Sequence, residues 1–143
     1  MNTYIVIATK DELALVERHP EFGTAPVIIT GVGAANVITA LRDLPRESHI
    51  INLGYAGSPD LEIGKEYKVG MSRLLHEVEY EDTFFSLDYG PTCYTGTDFV
   101  QAAHRKGLYD MELAFICALG FHVTSLKTVS DHCNYEEYER NIK

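Results

Sequence analysis

Three carboxylates stand out in this sequence because each lies beside a predicted helix or strand, where an acidic side chain can serve acid–base chemistry. Asp131 follows closely on an apolar run at residues 123–129, and Glu112 lies in the acidic turn that opens an apolar helix. Glu12 follows the first predicted strand. Open α/β sheets place their sites at the carboxyl ends of the strands. We therefore expect these three acids to share one pocket.

Each of these acids also has a purely structural interpretation. The segment from Thr9 to Glu12 has the form of a capping box at the start of a helix. Glu112 would be favoured in the first turn of a helix by the helix dipole, whatever its function. Asp131 could cap the tail segment, since serine and aspartate are common caps. Taken singly, none of the three identifies a site.

Short apolar runs rich in β-branched residues predict the strands that position these acids. Such runs are typical of strands buried on both faces of a parallel sheet. They lie at residues 4–8, 26–30, 49–54 and 123–129. Helices are predicted after Thr9, from Gly33 to about Leu44, over 109–118 and in the tail at 134–143. The pattern predicts a three-layer α/β/α sandwich around a mixed, mainly parallel central sheet, formed by a single domain of residues 1–143.

The pattern changes between residues 65 and 94, where apolar and polar residues alternate more often. This pattern predicts strands with one solvent-exposed face at residues 67–69 and 74–78, and another strand at residues 92–95. A short apolar segment lies at residues 84–87. Asp98 could cap a short helix that runs through His104. We find no repeat or linker that would divide the chain.

Two loops of small residues follow the second and third predicted strands. Gly31-Val32-Gly33 lies between a strand and a helix, where the backbone can approach a ligand at the positive helix N-terminus. The second loop is Tyr-Ala-Gly-Ser-Pro at residues 55–59. Asn36 stands where a dinucleotide-binding fingerprint has Gly or Ala, so the first loop does not complete that motif. In a parallel sheet, both loops open at the same edge.

Composition narrows the possible partners and the compartment. A formal charge of −9 over 143 residues argues against nucleic acid, because phosphate binding needs a basic face. The three cysteines form no CxxC pair, and the N-terminus lacks a basic segment followed by a long apolar run, so we expect a cytoplasmic protein without a membrane span. His122, His132 and Cys133 lie too close together for a convincing zinc site. We expect no metal and no other cofactor.

Seven short motifs occur in order along the chain and together resemble one family. They are residues 8–15 with Glu12, Gly31-Val32-Gly33, Ile50-Ile51-Asn52-Leu53-Gly54-Tyr55-Ala56-Gly57, Ile63-Gly64-Lys65, Thr95-Gly96-Thr97-Asp98-Phe99-Val100, Met111-Glu112-Leu113-Ala114 and Thr128-Val129-Ser130-Asp131. The chain resembles the nucleoside phosphorylase and nucleosidase superfamily, and within it the methylthioadenosine/S-adenosylhomocysteine nucleosidases. It resembles a shortened member, and Tyr55 replaces a small residue of the family pattern.

The resemblance implies hydrolysis of the N-ribosidic bond of a purine nucleoside of the methylthioadenosine or S-adenosylhomocysteine type, giving free base and sugar. This reaction follows the two-carboxylate logic of glycoside hydrolysis, applied to a nitrogen leaving group. By resemblance, Asp131 would be the general acid, Glu12 the base that activates water, and Glu112 the ligand of the ribose hydroxyls. The other implied contacts are Met111 with the sugar, Phe99 and the backbone of Val100 with the base, and Ala56 and Gly57 in the same pocket.

Two other functions remain open from the sequence. Phosphorylases of this superfamily hold phosphate with arginines, one of them on the strand before the second glycine loop, where this chain has Asn52. A phosphate-dependent phosphorylase is therefore the less favoured alternative. A shortened, inactive relative that binds a nucleoside or serves as an interaction module is the other. The family forms dimers or higher oligomers in which a neighbour completes the pocket, so we expect a homodimer or a higher homo-oligomer.

Overall fold

The computed structural model describes residues 2–75, 84–97, 99 and 105–142. The strands are β1 (Thr3–Ile7), β2 (Val27–Ile29), β3 (His49–Gly57), β4 (Glu66–Lys68), β5 (Met71–Leu74), β6 (Phe84–Ser86), β7 (Thr92–Thr95), β8 (Leu108–Asp110) and β9 (His122–Asp131). The helices are α1 (Leu13–Glu17), α2 (Ala34–Leu41), α3 (Leu113–Ala118) and α4 (Tyr135–Ile142), with short 3-10 helices at Lys10–Glu12 and Pro20–Phe22.

The sheet is mixed and mainly parallel, as the sequence predicts. Strand β1 pairs in parallel with β2 and β3, and β3 pairs in parallel with β9 along nearly its whole length. Strand β4 joins β9 in the antiparallel direction. At its carboxyl end β3 meets β8, which continues the sheet through β7, β5 and β6. The carboxyl ends of β1, β3 and β9 therefore lie side by side.

Helices cover both faces of the parallel strands. Ile5 and Ile7 of β1 point to one face, where they pack with Leu15 of α1. Val6 points to the other face and packs with Val37 of α2 and Ile116 of α3. All six side chains are at most 1% exposed, and full burial of such a side chain contributes about 1.5–3 kcal/mol. The predicted three-layer α/β/α arrangement is confirmed.

Two local predictions are wrong at the edge of the sheet where the acids lie. Tyr109 and Asp110 belong to β8 rather than to a helix, because they pair with Tyr94 and Thr95 of β7. The helix begins only at Leu113. The predicted loop at residues 55–59 is in strand β3 through Gly57, because β9 continues to pair with it there.

Some predicted elements lie outside the described residues. They are the helix expected from Asp98 to His104 and the end of the strand expected over 74–78. The tail helix is present as α4. Within the described parts of the chain, the structure contains no helix that is both long enough and apolar enough to span a membrane.

Candidate active site

One pocket lies at the carboxyl ends of β1, β3 and β9 and beside the junction of β8 with α3. Seven residues that the sequence singled out line it: Glu12, Ala56, Gly57, Phe99, Met111, Glu112 and Asp131. The eighth, Val100, lies outside the described residues. Val32 and Tyr55, from the two predicted small-residue loops, also line it. The rest of the lining consists of residues not named individually as site residues from the sequence, namely Ala8, Thr9, Tyr109, Asp110, Ser130 and Tyr138. The three acids of the prediction thus border a common space.

Glu12 is held in the pocket by backbone N–H groups from two strands' ends. Its Oε1 accepts hydrogen bonds from the N–H of Ala8 (2.7 Å) and Thr9 (3.4 Å). Its Oε2 accepts one from the N–H of Tyr55 (2.8 Å). Burial raises the pKa of Glu12 above its ordinary value, while the charge of Lys127 and these N–H donors oppose the rise. The predicted capping geometry is present, but the carboxylate also joins β1 to β3.

Glu112 lies at the N-cap of α3 and is only 9% exposed. Its side chain does not cap the helix, because Oδ2 of Asp110 accepts the N–H of Leu113 instead (2.8 Å). Burial, and then repulsion by Asp110, raise the pKa of Glu112 to about 8. At neutral pH this carboxyl is therefore mostly protonated and can donate a hydrogen bond as well as accept one.

Asp131 ends β9 and is fully buried. The hydroxyl of Ser130 donates to its Oδ2 (2.7 Å), and the N–H of Asn134, at the start of the turn into α4, donates to its Oδ1 (3.1 Å). Burial raises the pKa of Asp131, and these hydrogen bonds oppose the rise. Gly57 lets β3 approach this carboxylate closely, since a Cβ there would lie 2.9 Å from Oδ1. The site and capping interpretations of Asp131 are thus compatible.

A buried ion pair lies at the wall of the pocket, where Asp110 lines it, and sequence reasoning missed this pair. Nζ of Lys127, from the middle of β9, lies 3.0 Å from Oδ2 of Asp110. Burial would lower the pKa of Lys127, but the neighbouring Asp110 and other acids raise it above its ordinary value, so the ammonium stays charged. The one available signal was a lysine inside a strand predicted to be buried.

Phe99 belongs to an aromatic cluster that closes one side of the pocket. Its ring lies 5.3 Å from that of Tyr135 and 5.4 Å from that of Tyr138, both on α4. Of these two tyrosines, only Tyr138 borders the pocket. The charged composition of the tail predicted a surface helix, so Tyr138 was missed as well. A tyrosine spaced seven residues beyond Asp131 carried no signal by itself.

Asn52, the residue expected to report on phosphate binding, lies inside the sheet. Its side-chain oxygen accepts the hydroxyl of Ser125 (2.8 Å), and its amide donates to the carbonyl of Val6 (3.3 Å). It joins β1, β3 and β9 and does not border the pocket. Among the described lining residues there is no arginine and no lysine. In the same parts of the chain, no group of three or more His, Cys, Asp or Glu side chains is arranged to hold a metal ion.

Comparison with known proteins gives matches in structure only. No protein-family model and no curated protein matches the sequence. The methylthioadenosine nucleosidase (MTAN) of Chlamydia trachomatis is 17% identical, with a TM-score of 0.78 over 99% of this chain and 90% of that chain. The 5′-methylthioadenosine/S-adenosylhomocysteine nucleosidase of Neisseria meningitidis, in complex with methylthio-immucillin-A, is 18% identical, with a TM-score of 0.76 over 99% and 92% of the two chains.

Futalosine hydrolase of Helicobacter pylori gives a similar match. It is 12% identical, with a TM-score of 0.75 over 99% of this chain and 91% of that chain. At such low identities the likeness concerns the fold. The chain has the fold of these nucleosidases, and the resemblance found in the sequence is confirmed at that level.

Proposed function

We propose that the protein is an N-ribosyl hydrolase that cleaves the glycosidic bond of a purine nucleoside to give free base and sugar. The observation that supports this most is the convergence of Glu12, Glu112 and Asp131 on one pocket, each with a raised pKa. Cleavage of an N-ribosidic bond needs one protonated group for the leaving base and one basic group for the attacking water. The fold shared with nucleosidases favours the same reaction.

Asp131 is the proposed general acid. A purine is a poor leaving group when it departs as an anion, so a proton must reach its ring nitrogen as the bond to the sugar breaks. Complete burial favours the protonated carboxyl, and the neighbouring hydroxyl of Ser130 fixes the orientation of the group. Proton transfer from a positioned acid contributes roughly 10²–10⁴-fold in rate.

Glu12 is the proposed base for water on the other side of the sugar. Its raised pKa brings its basicity nearer to neutral pH, where a general base works best. The N–H groups of Ala8 and Tyr55 hold one oxygen each, so the carboxylate cannot rotate away from the pocket. The charge of Lys127 opposes the rise in the pKa of Glu12 and so favours the ionised form that a base needs.

The remaining lining residues would hold the nucleoside. Glu112 would bind the ribose hydroxyls, as a carboxyl that can both donate and accept, and Met111 would pack on the sugar. Phe99 would stack on the base, with Ala56 and Gly57 beside it. A contact of the Val100 backbone with the base edge stays a prediction, because that residue lies outside the described part of the chain.

Water is the proposed nucleophile rather than phosphate. Binding of phosphate needs cationic side chains, and the described lining of the pocket supplies none. Asn52 has its amide and carbonyl engaged inside the sheet. The nearby ammonium of Lys127 is engaged by Asp110.

We also propose that two or more copies of the chain assemble. Apolar side chains are exposed at the edge strand β2 and on the adjacent loop and helix, with Val27, Ile29, Val32 and Ile38 about 40% exposed each. Val32 belongs both to this patch and to the pocket, so a second copy packed here would also narrow the pocket mouth. Light scattering on the protein and on Ile38→Asp tests this: a change from oligomer to monomer supports it, and a monomeric parent protein contradicts it.

We propose a cytoplasmic location because the cysteines are unpaired. Cys93, Cys117 and Cys133 are free thiols, and all three are buried. Proteins of oxidising compartments commonly pair their cysteines, whereas free buried thiols are typical of a reducing compartment. Fractionation of cells that express the protein, with antibody detection, is the direct check.

The first experiment is release of free base from methylthioadenosine, S-adenosylhomocysteine, adenosine and inosine, followed by chromatography. It is run with and without phosphate. Base released without phosphate supports the hydrolase. Release that requires phosphate makes the protein a phosphorylase and contradicts the argument from Asn52. No release from any of the four by a folded sample contradicts the proposed function and favours a nucleoside-binding module.

A further inference from the structure

Strand β9 is irregular where it reaches the pocket. Ala56 of β3 pairs with Val129. The next residue of β3, Gly57, pairs with Asp131, so Ser130 is an extra residue in β9. Such a β-bulge bends the strand and re-aims the side chains beside it. In a regular strand consecutive side chains point to opposite faces, whereas here Ser130 and Asp131 both line the pocket. The bulge therefore brings the proposed general acid and its neighbour to the same space.

The side chain of Asn141, on α4, supplies a partner to this bulge. Its Nδ2 donates a hydrogen bond to the carbonyl of Ser130 (2.7 Å). Ser130 is only 3% exposed, so its carbonyl has little access to water and needs a donor from the protein. The hydroxyl of Ser130 in turn donates to Oδ2 of Asp131 (2.7 Å). Ser130 thus links Asn141 to the acid, with its carbonyl on one side and its hydroxyl on the other.

The beginning of α4 is fixed to the same acid. Asn134, which precedes the helix, donates its N–H to Oδ1 of Asp131 (3.1 Å), and its side-chain oxygen accepts the N–H of Glu137 (2.9 Å). Helix α4 is therefore attached near both of its ends to the segment that carries the acid. Of these two attachments, the one through Asn141 reaches the bulge itself.

We propose that Asn141 is a positioning residue, which holds the bulge at Ser130 and so aims the carboxyl of Asp131 at the leaving base. This inference rests on the proposed function and adds a residue to it. Asn141 is not among the described residues that line the pocket, so it acts through Ser130 and not on the substrate. The carbonyl of Ser130 and the N–H of Asp131 belong to one planar peptide group. A carbonyl that turned to find another donor would therefore turn the acid with it.

Asn141→Leu removes the donor at nearly constant side-chain size and tests the proposal. We expect kcat for release of adenine from adenosine or methylthioadenosine to fall roughly tenfold to 10²-fold, as for a displacement of about 1 Å at a reacting group. The Kd of the nucleoside, from calorimetry, should stay nearly unchanged. In the Asp131→Asn background the same change should leave the residual kcat unaltered, because Asn141 acts through the acid. A purely structural role would lower kcat in both backgrounds.

Arg140→Leu is the matched control, because Arg140 lies next to Asn141 on α4 and its side chain is 72% exposed. It should keep the kcat of the parent. Asn141→Asp is a second variant of the same size, whose carboxylate cannot donate. It should behave like Asn141→Leu, and it decides the question if the leucine variant does not fold.

Crystal structures of the parent and the Asn141 variants separate this inference from the proposed function, because they need no substrate. In the variants the hydrogen bond from the hydroxyl of Ser130 to Asp131 should be lost. The inference is overturned by an unchanged bulge and carboxyl orientation, by an unchanged kcat, or by equal losses of kcat with and without Asp131. A parent protein that releases no base contradicts the proposed function alone, and the crystal structures then still decide whether Asn141 holds the carboxyl.

Discussion

Nζ of Lys127 lies 3.0 Å from Oδ2 of Asp110, and neither side chain is more than 1% exposed. The pair joins the middle of β9 to the end of β8, where Asp110 lines the pocket. Asp110 also accepts the hydroxyl of Thr95 and the N–H of Leu113, so several elements meet at this carboxylate. A buried pair of this kind is costly to break, since the remaining charge stays buried without a partner.

Lys127→Met should therefore destabilise the protein by about 3–5 kcal/mol, because Asp110 would remain as an uncompensated buried charge. The free energy of unfolding from urea denaturation measures this. Lys68→Met is the matched control, because the ammonium of Lys68 pairs with Asp88 at 2.6 Å while both side chains are well exposed. The control should leave the urea midpoint nearly unchanged. Equal midpoints for the two variants would contradict the importance of the buried pair.

Asp131→Asn should lower kcat for base release by about 10²–10⁴-fold while nucleoside binding persists, because the amide is too weak an acid to protonate the leaving base. Steady-state kinetics and calorimetry on the same preparation separate the two effects. Asp43→Asn, an exposed position outside the pocket, serves as the control and should keep full activity. An Asp131→Asn variant with unchanged kcat would remove Asp131 from the mechanism.

Glu112 should make the protein less stable as the pH rises. Its pKa is about 8 in the folded chain, against an ordinary value of 4.5. Between these values the native state keeps a proton that the unfolded state has released, so the free energy of unfolding falls from about pH 4.5 to about pH 8. Unfolding at pH 5 and pH 8.5 should therefore show a smaller loss of stability for Glu112→Gln than for the parent.

Glu12 and Asp131 also have raised pKa values, so they too lower the stability as the pH rises. The contribution of Glu112 is therefore the difference in pH dependence between the parent protein and Glu112→Gln. A Glu112→Gln variant with the same pH dependence as the parent would show that Glu112 is ionised in the folded protein.

Gly54→Ala should damage activity by moving two charged groups at once. A Cβ at this position would lie 2.8 Å from Oε2 of Glu12 and 2.9 Å from Nζ of Lys127. Backbone N–H groups fix Glu12, and Asp110 fixes Lys127, so neither can give way freely. A displacement of about 1 Å at a reacting group can cost roughly 10²-fold in rate. Kinetics of base release measure the effect, and full activity would argue against a catalytic position for Glu12.

The sequence predicted the fold well where the hydrophobic pattern was continuous. The four apolar runs became β1, β2, β3 and β9, and both faces of β1 are covered, because β-branched residues without polar alternation need burial on both sides. The predictions were wrong where pairing between distant strands decided the conformation. Tyr109 and Asp110 belong to a strand because β7 and β3 pair with it, and the local sequence does not show which distant strands will pair.

Of the residues described in the structure of the candidate site, the acids were the ones whose position the local sequence pattern could predict. Glu12, Glu112 and Asp131 each lie beside a recognisable element, so the sequence brings them to the same edge of the sheet. Lys127 and Tyr138 could not be assigned, because their roles depend on which distant side chains face them. A lysine in a buried strand requires a buried acid, but the sequence offers 21 acidic residues as possible partners.

The pairing of Lys127 with Asp110 also constrains how sequences of this fold can diverge. The two residues lie on different strands, 17 positions apart, and neither can be replaced alone without passing through an intermediate that carries a lone charge in the core. Natural variants should therefore change both positions together or neither. Among related sequences, this contact should therefore be visible as correlated substitution at positions 110 and 127, rather than as conservation of either residue alone.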